Sequence, residues 1–143
     1  MHSDFCVAVH ALVYLRHKRC LLSSEELAEN IRTNPARVRK VMARLRAAGL
    51  IEAREGAVGG YRAREDTGAL TLDRVAAALG TEPVELGWHS GSQEIGCRVS
   101  AGMADAMDGL VAELNAACRE RLHKHTIEEL ERALLAERQE ENT

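Results

Sequence analysis

Apolar and polar positions recur along most of this chain with the period of helices. Residues 4–19 are apolar nearly all round a helical wheel, through Phe5, Val7, Val9, Leu12, Val13 and Leu15, which is the pattern of a buried helix. A helix-turn-helix and a second long helix are its expected burial partners. Ser23-Ser24-Glu25-Glu26 reads as a capping box, the Ser23 hydroxyl serving the amide of Glu26 while that carboxylate reaches back. The helix it starts carries Leu27 and Ile31 inward, and small Ala28 allows a neighbour to approach closely. Asn34 is a favoured N-cap and Pro35 suits a first helical position, so a third helix is predicted over 35–48, stopping at Gly49. Two short helices joined by about three residues, the second turning Val38, Val41 and Leu45 inward, have the spacing of a DNA-binding helix-turn-helix.

After Gly49 the period changes. Residues 50–54 and 61–64 read as two short strands around a segment with three glycines, Gly56, Gly59 and Gly60, which makes a β-wing. Glycine there permits a tight tip that can approach a sugar-phosphate backbone, and the flanking arginines supply charge. Thr71 is the expected N-cap of a support helix that ends near Gly80, with Leu70 and Val75 placed as a hydrophobic staple. Residues 81–99 have no clear period and read as a long loop anchored through Trp88 and His89. The last large helix, 101–124, repeats Met103, Met107, Leu110, Leu114, Ala117 and Arg121 at steps of four and three, widened by Val111, Cys118 and Leu122. Such a helix outreaches a domain of this size, so its seam is expected to meet its copy in a second subunit. A capping box at Thr126 and Glu129 starts a final helix.

The fold class is therefore mainly α with a small β-wing: a winged helix-turn-helix DNA-binding domain over 1–80, a sensor-type loop over 81–99, and a dimerisation helix with a C-terminal helix over 100–143. Composition agrees, because aromatics make up only 3% and the apolar set suits interdigitating helices. No apolar run has the length of a membrane span and no signal-peptide pattern opens the chain, so the expected location is cytoplasmic. The formal charge of -3 conceals an uneven distribution. Arg32, Arg37, Arg39, Lys40, Arg44, Arg46, Arg54, Arg62 and Arg64 face only Glu52 and Glu55, whereas six glutamates face two arginines after Thr126. A basic middle lies ahead of an acidic tail.

The four cysteines, Cys6, Cys20, Cys97 and Cys118, are far apart and form neither a zinc-finger spacing nor a disulfide framework. Cys6 and Cys118 lie on apolar helix faces and read as buried. Cys97 lies beside Arg98, just before the long helix whose dipole favours a thiolate, and is the candidate redox-sensing residue. His123 and His125 fit a helix C-terminus without a metal. No His or acid accompanies a cysteine in a recognisable motif and no phosphate-binding glycine loop is present, so the chain does not read as an enzyme.

The run from Asn34 through Arg37, Lys40, Arg44 and Gly49 to Ile51, followed by Gly59-Gly60-Tyr61 and Leu70-Thr71-Leu72, resembles the Rrf2 family of bacterial transcription regulators. The likeness covers nearly the whole chain. It implies a dimeric winged-helix protein whose Thr33, Asn34, Arg37, Arg39 and Lys40 enter or border the major groove, with the wing from Arg54 to Tyr61 at the minor groove; Arg44 lies on the same outward side. Two positions depart from the family. Glu55 stands where a wing-tip arginine is common, and Ala63 where a larger apolar residue is. Sensing members often hold a 2Fe-2S cluster through three cysteines in the loop before the long helix. That loop has only Cys97 here, and one thiolate cannot hold a cluster, so no cofactor is expected unless Cys97, His89 and a partner-subunit residue form a mixed site.

These features predict a homodimeric repressor that places two recognition helices in successive major grooves of a near-palindromic duplex DNA operator and responds to redox state through Cys97. A cluster- or small-ligand-responsive regulator of the same fold is one alternative. A winged helix serving as a protein-docking module is another.

Overall fold

The structure, a computed structural model, describes the backbone of residues 3–141 and the side chains of residues 3–136. Helix α1 (Ser3–Lys18) lies at the centre, with Phe5, Val7, Ala8, Ala11, Leu12 and Leu15 buried. Around it pack α2 (Ser24–Ile31), α3 (Pro35–Ala47), strand β2 (Gly60–Ala63), α4 (Leu72–Leu79) and α6 (Ile127–Glu141). The helix-turn-helix partner is as expected. The second partner is the C-terminal α6, and the long α5 (Arg98–Leu122) packs instead on α4. One stripe of α1 also escapes burial. Cys6, His10 and His17 repeat along it at steps of four and seven, and with Val9, Val13 and Leu134 they line an open groove between α1 and α6. Cys6 is therefore exposed rather than buried.

Local signals in the first half set the helix ends. Ser23 and Glu26 form the capping box in both directions, at 3.1 and 3.2 Å. Asn34 Oδ1 accepts from the Arg37 amide at 2.8 Å, and Pro35 follows at the first helical position. Between them Arg32 closes α2 in the left-handed conformation, φ 68°, a place where no glycine announces the turn. Val38, Val41, Met42 and Leu45 turn inward from α3. Each buried aliphatic side chain of this size contributes about 1.5–3 kcal/mol, which outweighs the modest effect of any one cap.

The wing is a two-stranded antiparallel sheet, β1 (Ile51–Arg54) against β2, with Ile51 opposite Ala63 and Arg54 opposite Gly60. Its base continues into the helix-turn-helix. Tyr61 exchanges two backbone hydrogen bonds with Leu22, at 2.8 and 2.9 Å, so the entrance to α2 forms a third, one-residue strand.

Thr71 sits at the N-cap of α4 with extended backbone, but its hydroxyl makes no cap bond. The backbone is tied instead across the chain, Leu72 N–H to His125 O at 3.0 Å and Ile127 N–H to Leu70 O at 3.1 Å. His123 joins the same corner through Nδ1 to Asp73 Oδ2 at 3.0 Å. Burial pushes the Asp73 carboxyl up, but the Thr71 and His123 side chains outweigh it and hold the group below its ordinary value.

Helix α6 starts with the Thr126–Glu129 capping box, at 3.2 and 3.3 Å, and puts Ile127 into the core. Its buried Glu131 pairs with Arg16 of α1, whose second amine reaches Glu128 at 3.4 Å. Gly68 allows this, since a Cβ there would press on the Arg16 guanidinium, 2.6 Å from Nε.

The loop before α5, expected over 81–99, ends at Cys97, where the helix begins earlier than the sequence predicts, and it is bound along α5. Buried Asn115 accepts from the Val84 amide at 2.8 Å and donates to the Val84 carbonyl at 3.0 Å. Arg119 pairs with Glu82 at 2.7 Å, His89 with Asp108 at 2.5 Å, and the Ser92 amide donates to the Ser100 hydroxyl at 3.0 Å. Trp88, expected to anchor this loop, is 78% exposed instead. Among the described residues, no helix is long and apolar enough to cross a membrane.

Candidate nucleic-acid interface

Recognition-helix candidates divide sharply by what their side chains hold. Arg39 and Lys40 are exposed on α3, and Lys40 has no ion partner among the described residues. Arg37 is half-buried, its Nε donating to Asp4 Oδ1 at 3.0 Å and its Nη2 to Ser3 Oγ at 2.5 Å. It fastens the start of α1 to α3. Arg44, expected on the outward side, donates through Nη1 to the Leu79 carbonyl at 2.6 Å and so supplies a cation at the C-terminus of α4. Asn34 caps α3, and Thr33 is half-buried in the turn before it, its amide bonded to Ala28 O at 3.1 Å.

Arg39 reaches back to the first turn of α2. Its Nη1 donates to Ser24 Oγ at 3.2 Å and lies 3.6 Å from Glu25 Oε1, while the Ser24 hydroxyl donates to Glu25 Oε2 at 3.1 Å. The Glu25 carboxyl is held below its ordinary value, by its own backbone amide first and then by Ser24 and Arg39. Neither Ser24 nor Glu25 was singled out for this from the sequence, where both read only as helix-start residues. A serine and a glutamate at the start of the helix before a basic one are a weak signal unless the tertiary approach of α2 and α3 is known.

The wing contributes Arg54 and Arg62, both exposed and without an ion partner among the described residues. Glu55, the atypical tip residue, pairs with Arg46 at the end of α3 at 3.4 Å. Gly59, Gly60 and Tyr61 have a different task from the cations. A side chain at Gly59 would collide with the Arg54 carbonyl, and one at Gly60 with the Leu22 carbonyl. The Gly-Gly-Tyr motif is thus the joint by which the wing folds back and bonds to the α2 entrance. Between the wing and that entrance lies an open cleft lined by Ser24, Glu25, Arg46, Arg54 and Glu55.

Cys97 stands apart from this face, exposed at the N-cap of α5. The amides of Ser100 and then Val99 lower its thiol pKa against a small opposing effect of burial. The other cysteines do not approach it as a set. Cys6 is on α1, Cys20 follows α1, and half-buried Cys118 lies near the far end of α5. Among the described residues no three His, Cys, Asp or Glu side chains converge as metal ligands. Among the described residues Cys97 is the lone thiol of its loop, short of the clustered cysteine set that usually holds a 2Fe-2S cluster.

Helix α5 presents a further surface. Its more buried line runs through Val111, Asn115, Cys118 and Leu122, whereas Met107, Leu110 and Leu114 stay 36%, 47% and 44% exposed. The single widened stripe read from the sequence is two faces, one against its own subunit and one open.

The fold has counterparts among known proteins. A solved protein structure from Lactobacillus plantarum has a TM-score of 0.81 at 23% identity, with 100% of both chains covered. IscR of T. potens has a TM-score of 0.65 at 18% identity, over 93% of this chain and 87% of that one. CymR, the global cysteine regulator of B. subtilis, also reaches 0.65, at 21% identity, over 93% and 96%. No curated protein sequence matches. The Rrf2 family, described as iron-dependent transcriptional regulators, matches residues 1–133. A match over nearly the whole length, on a winged helix whose basic face lies on α3 and the wing, means that the chain belongs to the Rrf2 family of DNA-binding transcriptional regulators and is not an enzyme.

Proposed function

We propose that the protein is a homodimeric, sequence-specific repressor that binds a near-palindromic operator. The observation that carries this reading is the exposure of Arg39 and Lys40 on α3 and of Arg54 and Arg62 on the wing, on a molecule whose α5 leaves an apolar line open. The N-terminal half of α3 enters the major groove and the wing approaches the neighbouring backbone. Thr33, Asn34 and Gly59 to Tyr61 shape these elements, Arg37 and Arg44 brace them, and the exposed cations meet the duplex. Two-fold pairing through α5 sets the two α3 helices about one helical turn apart, and bound protein blocks transcription by occupying the site.

The test is selection of duplexes from a random pool, followed by titration against salt. A near-palindrome is expected to be enriched. Lys40→Ala should weaken binding to every duplex by a similar factor and reduce the slope of log affinity against log salt by about 0.9, as loss of one phosphate contact requires. Salt-insensitive binding, or none, overturns the reading in favour of a docking module.

Redox response through Cys97 is the accompanying regulatory reading, supported by its exposure and lowered thiol pKa. More of the thiol is ionised at neutral pH, and the thiolate is the form that cleaves the O–O bond of peroxide to give a sulfenic acid and hydroxide. Mild peroxide is expected to change operator affinity for the wild type and not for Cys97→Ser. An identical response in both proteins removes Cys97 from the mechanism.

A further inference from the structure

Arg37 and Arg39, two positions apart on α3, are held in different ways, and the difference bears on which one can read a base. A guanidinium recognises guanine by presenting one edge as a fork, with two parallel N–H bonds to O6 and N7. In Arg37 the Nε and Nη2 edge is occupied by Asp4 and Ser3 at 3.0 and 2.5 Å, and the group is drawn back toward α1. In Arg39 only Nη1 is engaged, by Ser24 Oγ at 3.2 Å and Glu25 Oε1 at 3.6 Å. Its Nε and Nη2 edge has no partner among the described residues, and its side chain is 53% exposed.

The support behind Arg39 is itself connected. Ser24 is buried, accepts from the guanidinium and donates to Glu25 Oε2 at 3.1 Å, so hydroxyl and carboxylate act together on one amine. Both come from the first turn of α2, whose position is fixed by the Ser23–Glu26 capping box and by the Leu22–Tyr61 backbone pair. A long side chain restrained in this way loses less rotamer freedom when it binds. A carboxylate this near the duplex also repels phosphate, so its presence disfavours binding that depends on charge alone.

We propose that Glu25, acting with Ser24, is a positioning residue that holds Arg39 with its free edge outward, and that Arg39 rather than Arg37 is the guanine-reading arginine of each half-site. This rests on the DNA-binding reading above. Glu25 touches no base in the arrangement; it works through Arg39.

The experiment uses the full chain. An operator is selected from random duplexes with the wild type, and affinities for that operator, for its single-base variants and for a random duplex are measured with Glu25→Gln, Ser24→Ala, Arg39→Ala and the Glu25→Gln/Arg39→Ala pair. Melting temperatures confirm folding, which the intact capping box should preserve. Wild type is expected to prefer guanine at one position of each half-site. Arg39→Ala should abolish that preference, and Glu25→Gln should narrow it by about 3–10-fold while affinity for the random duplex holds or rises. The double variant should match Arg39→Ala. The proposal is overturned if Glu25→Gln leaves the ratio unchanged, weakens all duplexes equally, or still acts when Arg39 is absent. If wild type enriches no duplex, the DNA-binding reading itself falls and takes this proposal with it, an outcome distinct from any result with the variants.

Discussion

Replacing Leu110 and Leu114 together by Asp is expected to convert the protein to a monomer and to lower operator affinity by about 100-fold or more. Both side chains lie on the open line of α5, 47% and 44% exposed, so the subunit's own core does not depend on them. In a two-fold pairing each would face apolar side chains of the other copy, and a carboxylate there would be desolvated without a partner. The expected result is halved mass by light scattering with little change in helical content. Half-sites that are each bound weakly no longer assist one another once the two α3 helices are unlinked. Retention of both the dimer and operator affinity would show that α5 is not the pairing surface.

Gly60→Ala should be the most damaging single substitution in the wing, with a loss of about 2–4 kcal/mol and a fall in melting temperature of roughly 5–15 °C. A methyl group at this position runs into the carbonyl oxygen of Leu22, which is backbone and cannot swing aside. Relief requires the Leu22–Tyr61 bridge to open, leaving two backbone groups to find other partners. Gly56→Ala is the comparison within the same wing. A Cβ at Gly56 meets nothing within 4 Å, and the cost there comes only from a φ of 110°, about 1 kcal/mol. Equal melting temperatures for the two variants would remove the Leu22 contact as the reason for the glycine.

Features set by neighbouring residues were legible in the sequence. The Ser23–Glu26 box, the Asn34–Pro35 start and the Thr126–Glu129 box each need only a short side chain and an amide three residues away, and all three form. The wing was legible because its glycines and alternation lie within one hairpin. Contacts between residues far apart in the chain were hidden. Nothing local in Arg37 tells that Asp4 will capture it, nor does Arg44 announce the Leu79 carbonyl. An arginine on the polar side of a helix can turn to solvent, to a carboxylate or to a helix end, and the neighbouring helix decides. Cys6 was misread for a related reason. With Val7 and Phe5 flanking it, the wheel looked uniformly apolar, yet the histidines in line with Cys6 marked the stripe that α6 leaves uncovered. Thr71 shows that a correct N-cap position need not bring a cap bond when the backbone finds a partner across the chain, at His125 and Ile127.

The bridge between Leu22 and Tyr61 has a mechanical consequence. It fuses the α2 entrance and the wing base into one piece, so the part of the protein that follows one groove and the part that follows the next form a caliper of fixed gap. Such a tool cannot stretch to a half-site in which one extra base pair, about 3.4 Å of rise, separates the two points of grip. In the proposed dimer, tolerance for irregular operators would then lie at the joint between subunits and not within either reading head.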